Sequence, residues 1–154
     1  MWRSIVTAAM LAAPLMALPG GAVAQPVSFT PFDQPAQEAV QAARSWQFER
    51  AQKAGVTPRV ATARIDLDGD GVAEIVAVVQ APDRCAALGL RNCPLVVLHR
   101  RSERGRFQEV GSFFGDAVQI LDSSNKGWRD IETRFTQGPW RRTEWNGLLY
   151  QIRR

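Results

Sequence analysis

Histidine occurs only once in this chain, at position 99. That scarcity leaves neither a histidine-based metal centre nor a relay of several histidines. Lysine is almost as rare: only Lys53 and Lys126 occur, so 17 of the 19 basic residues are arginine. No basic run exceeds two or three residues, which excludes the clustered footprint of a nucleic-acid-binding protein. The serines at 102, 112, 123 and 124 lack any G-x-S-x-G context, so no nucleophile elbow is available. The two cysteines are too far apart for a C-x-x-C redox pair. The longest apolar run, Ile5 to Leu18, is interrupted by Pro14, followed by Pro19-Gly20, and is too short for a comfortable membrane span.

That apolar run reads instead as the core of an export signal. Arg3 supplies the positive start, and Ala22-Val23-Ala24 the small-residue cleavage site before Gln25. Residues 1–24 are therefore expected to be a cleaved signal peptide, with no cysteine at the junction to carry a lipid. Removing 24 of the 154 residues leaves 130, enough for one domain with a modest core. The net charge of +4 falls to +3 without Arg3. Export to a periplasmic or extracellular compartment, in a bacterium, makes a Cys85–Cys93 disulfide the natural pairing. Closing so short a loop is worth about 2–3 kcal/mol by the chain-entropy argument.

Residues 25–33 are Pro-punctuated and extended. Asp33 is placed as an N-cap, with Pro35 in the first turn. A helix is expected over residues 34–54, stopping at Gly55, with Ala36, Ala39, Val40, Ala43, Trp46 and the stem of Arg50 on its packing face. Strands are expected over 59–65, 73–80, 95–100 and 106–114, then 117–121, 128–135, 140–145 and 148–152. Ile75, Val76, Val78 and Val79 make the second nearly apolar on both faces, hence central. His99, on the third, is expected as a partly buried sheet residue. A turn over 122–127 and a hairpin at Asn146-Gly147 complete the layout. Residues 34–154 thus form a single α+β domain, an N-terminal helix packed on a curled, mainly antiparallel sheet of six to eight strands.

Against this background one stretch stands out, Asp66-Leu67-Asp68-Gly69-Asp70-Gly71-Val72-Ala73-Glu74. Four acidic side chains crowd around two glycines between strand-like segments. Such crowding is repulsive unless a cation sits among the carboxylates, and all-oxygen cages suit hard divalent ions, calcium above all. The first half matches an EF-hand, but loop position 12 is Ala77 in a β-branched run, and the last acid arrives early, at Glu74. The pattern resembles the short DxDGDGxxE calcium loops of FG-GAP and VCBS-type repeats in exported proteins. That resemblance implies Asp66, Asp68, Asp70 and Glu74 as side-chain ligands and Val72 as a carbonyl ligand. Those families repeat the unit to build propellers, and a single copy in a chain this short excludes one.

A looser resemblance spans Asp66 to Tyr150. The acidic loop, a Cys-Pro-Leu strand, Gly-Trp-Arg-Asp-Ile and a final Trp-Asn-Gly-x-x-Tyr are similar to segments of small exported bacterial proteins. It implies export and a compact β-rich domain, with no activity attached. Trp128, Arg129, Trp140, Arg141, Arg142 and Trp145 concentrate aromatic and guanidinium groups late in the chain, either as a binding surface or, for the tryptophans, as core. The functional expectation is a non-catalytic, calcium-stabilised exported domain that binds a protein or an envelope polysaccharide, as an inhibitor, immunity or accessory factor. The alternative is a calcium-assisted hydrolase acting on envelope material, which needs an open coordination position beside a cleft.

Overall fold

The structure, a computed structural model, describes residues 23–135 and 137–153. The expected signal peptide lies almost wholly outside the described residues. Its last two residues do not: strand β1 (Ala24–Pro26) begins at Ala24, and the Val23 carbonyl accepts from the Asp122 amide at 3.2 Å. Two helices follow, α1 (Gln34–Ala43) and α2 (Ser45–Lys53). Then come β2 (Arg59–Ile65), β3 (Glu74–Gln80), a 3-10 turn at Ala86–Leu88, β4 (Pro94–His99) and β5 (Gln108–Phe114). The chain finishes with β6 (Ala117–Asn125), β7 (Trp128–Arg134), β8 (Arg141–Trp145) and β9 (Tyr150–Ile152).

These strands make two antiparallel sheets rather than one curled sheet. One is ordered β2-β3-β4-β5, the other β1-β6-β7-β8-β9. The chain crosses between them at Gly115-Asp116, where the Asp116 amide donates to the Arg134 carbonyl at 2.8 Å. Alternation along a strand tells which face is buried, not which neighbour it pairs with, so the division is invisible in the periodicity.

Strand β3 is central, and its two faces show how the layers stack. Ile75, Ala77 and Val79 pack with Ala36, Val40 and Ala51 of the helices. Val76 points the other way, into a core shared with Val118, Ile120, Trp128, Ile131, Trp145 and Tyr150 of the five-stranded sheet. The result is three layers: helices, four strands, five strands. This explains a strand apolar on both faces.

The expected single helix is broken at Arg44, whose backbone leaves helical angles (φ −118°, ψ 27°). Its buried guanidinium donates through Nη2 to Glu109 Oε1 and Ser112 Oγ, both at 2.7 Å, tying the helix junction to β5. The break rotates the second helix. Gln47 and Ala51 face inward, while Trp46 of the expected packing face is 55% exposed and Ala43 and Arg50 face solvent. Elsewhere, Cys85 and Cys93 are bonded, with Cα atoms 5.1 Å apart. Strand β6 runs on to Asn125, leaving only Lys126-Gly127 as the turn. The last hairpin closes through four residues, where Asn146 Oδ1 accepts from the Leu148 and Leu149 amides at 2.8 and 2.9 Å.

Candidate metal centre

The acidic loop connects β2 to β3, and the pairing of Ile65 with Glu74 fixes its two ends. Two glycines turn it, Gly69 at φ +76° and Gly71 at φ +85°, angles that strain any residue bearing a Cβ. The aspartates fold the loop around themselves. Asp66 accepts from the Gly69 amide at 2.7 Å and the Gly71 amide at 3.0 Å. Asp68 accepts from Asp70 at 3.1 Å, and Asp70 from Val72 at 2.7 Å. One carboxylate oxygen each from Asp66, Asp68 and Asp70 gathers within 4.8 Å.

Leu67 anchors this turn from within. Its side chain is fully buried in the core between the sheets, and its carbonyl accepts from the Arg129 amide of β7 at 2.8 Å. Its amide donates to Glu74 Oε2 at 2.8 Å. Glu74 therefore enters from the inner side of the loop, completely buried, and shares the inter-sheet face of β3 with Val76. Its other oxygen, Oε1, lies 3.0 Å from Nδ1 of His99, the last residue of β4. The His99 ring stands edge-on to Trp128 at 5.0 Å. One ligand atom each from Asp68, Glu74 and His99 also falls within 4.8 Å, so Asp68 belongs to two groups.

The electrostatics of this cluster are lopsided. Burial raises the Glu74 carboxyl above its ordinary range, opposed by its hydrogen bonds from His99 and Leu67. Burial also raises Asp68, and the neighbouring charges of Asp70 and Asp66 add to it. Among the described residues, no lysine or arginine forms an ion pair with any loop carboxylate, although the chain is rich in arginine. What the arrangement offers chemically is a set of uncompensated oxygen donors with one imidazole beside them.

The five residues named from the sequence divide accordingly. Asp66, Asp68 and Asp70 converge, Val72 lies on the same turn, and Glu74 is a short step inward. His99 is the group that the sequence did not connect to them, because nothing in a linear reading brings the end of β4 beside the start of β3. The late aromatic set is scattered. Trp128 and Trp145 are each 8% exposed and stacked on one another at 4.2 Å, inside the core and not on a surface. Arg129 turns back to the Leu121 carbonyl at 3.1 Å and Asp122 at 3.3 Å. Arg142 sits beside Asp130 and Glu132, and Arg134 covers the Trp140 ring at 4.6 Å. Of the six, only Arg141 is exposed.

Two concavities lie elsewhere. A groove of about 720 Å³ runs between the helices and β2, lined by Gln37, Phe48, Gln52, Val56 and Val60 among others, and one of about 340 Å³ lies beside Trp145 and Gln151. Neither is lined by residues 66–74. Comparison with known proteins returns no match to a family model, to a curated protein or to a solved structure.

Proposed function

We propose that this is an exported, non-catalytic domain whose β2–β3 loop binds calcium, and which uses that stabilised frame to bind a protein or an envelope polysaccharide. One observation carries the calcium reading: Asp66, Asp68 and Asp70 converge on a glycine turn, and among the described residues no lysine or arginine is paired to them. Oxygen donors at about 2.3–2.6 Å from one ion are what calcium requires, and Val72 offers a carbonyl on the same turn. The Cys85–Cys93 disulfide fits an oxidising compartment, periplasmic or extracellular. Among the described residues no helix is long and apolar enough to cross a membrane.

Because the loop ends are the paired residues Ile65 and Glu74, an ion there stabilises the sheet itself. Binding to the folded state adds about 2.7 kcal/mol at a hundredfold excess over Kd. Melting is expected to rise with calcium, less with magnesium, and to lose its calcium response in Asp70→Asn, which keeps shape and removes charge. Superimposable melting curves in chelator and in millimolar calcium, with no heat of binding, would falsify the site. The partner is sought by pull-down from a periplasmic fraction and by sedimentation with peptidoglycan, and recovery of the protein alone in both removes that half of the reading.

A further inference from the structure

We infer that Asp68, Glu74 and His99 form a second cation position, of different chemistry, that takes a zinc-class ion and shares Asp68 with the calcium loop. It goes beyond the calcium reading: it shares Asp68 with the loop, takes Glu74 for itself and adds His99. Nitrogen is a poor donor for calcium and a good one for zinc, so an imidazole on one side of a carboxylate cluster selects the ion.

Two of the three side chains, Glu74 and His99, are already held for the task. Glu74 is fixed by the Leu67 amide on Oε2, which leaves Oε1 turned toward His99. The His99 ring is held edge-on against Trp128, and its side chain is only 14% exposed. Asp68, half-buried, offers an oxygen within 4.8 Å on the loop side and draws inward to complete the group. Zinc ligands at about 2.0–2.2 Å in a tetrahedron stand about 3.3 Å from one another. The Nδ1–Oε1 contact of 3.0 Å therefore opens by only a few tenths of an ångström when an ion replaces the shared proton.

A lone histidine makes the experiment direct, because every imidazole signal belongs to His99. Zinc, added at one equivalent to calcium-loaded protein, is expected to shift that imidazole in a proton–nitrogen NMR spectrum. Cobalt, as a spectroscopic probe, is expected to give visible absorption that His99→Gln abolishes. Zinc affinity should fall by about 100-fold or more in that variant while calcium binding is retained. Asp70→Asn should do the reverse, losing calcium and keeping the cobalt spectrum. An imidazole signal unmoved by zinc in the unmutated protein overturns the inference and leaves Glu74–His99 as a hydrogen-bonded pair. Loss of both ions in Asp70→Asn overturns it too, since that means one site. A zinc-shifted imidazole in protein that binds no calcium supports this position and removes the calcium reading instead.

Discussion

Tyr150 is the chain's only tyrosine, and the structure makes its hydroxyl a measurable hinge between the sheets and the loop. It is 3% exposed, packed edge-on against Trp128, Trp145 and Phe113, and donates to the Arg129 carbonyl at 2.7 Å. The Arg129 amide in turn holds the Leu67 carbonyl. Tyr150→Phe removes one buried hydrogen bond and strands a carbonyl, at a cost of about 1–2 kcal/mol. For a domain of this size that lowers the melting temperature by roughly 4–8 °C. The pH dependence is sharper still. Burial, reinforced by Glu74, Asp130 and Asp68 and opposed by Arg129, raises the phenol's pKa well above its ordinary value.

A group whose folded pKa is raised holds its proton after the unfolded chain has released it. Its stabilising contribution is thus complete below about pH 10 and is lost as pH climbs above that value, by about 1.4 kcal/mol per pH unit. Tyr150→Phe lacks this term. The gap between the two proteins should therefore narrow from pH 10 upward in urea melts, and tyrosinate absorbance should appear only as the fold is lost. Reversible ionisation near pH 10 in folded protein, or a variant as stable as the parent at pH 7, refutes the reasoning.

Asp33 caps α1 through the Ala36 amide at 3.1 Å and meets Arg64 Nε at 2.6 Å, a bond that holds its carboxyl below the ordinary range. Asp33→Ala should cost about 1 kcal/mol at neutral pH, mostly the cap. The Asp33 contribution, present above about pH 4 and lost as pH falls through the lowered folded value, should vanish from acid melts of the variant. Selective reduction of Cys85–Cys93 should lower stability by about 2–3 kcal/mol, and melting unchanged by reductant would show the loop pre-ordered without the bond. Trp46→Ala should change stability by less than about 0.5 kcal/mol, whereas Ile131→Ala, at a fully buried position, should cost about 2–4 kcal/mol. A large effect at Trp46 would contradict the helix break.

Local chemistry was the legible part of this molecule. Asp33 as cap, Gly69 and Gly71 as turn, the Asp66–Asp68–Asp70 convergence and the Cys85–Cys93 bond depend on neighbours close in the chain, and a linear reading reaches them. The strands of the four-stranded sheet were found to within two residues for the same reason. What escaped depended on distant partners. Arg44 breaks the helix because Glu109 and Ser112 wait on β5, more than sixty positions away. Glu74 turns inward because Leu67 and His99 receive it there. Trp128 and Trp145 are core because the second sheet closes over the first, and a tryptophan beside arginines looks the same from the sequence whether a sheet covers it or not.

The stack of Trp128 on Trp145 has an optical consequence. Two indoles nearly parallel, 14° apart in plane, share their excitation, and such a pair produces a coupled circular-dichroism doublet when the in-plane transition dipoles are skewed. Both rings belong to the five-stranded sheet, whereas the exposed Trp46 belongs to the helical layer and emits as a solvated indole. The two outer layers thus carry separate native chromophores, and their loosening can be timed independently in one unlabelled sample.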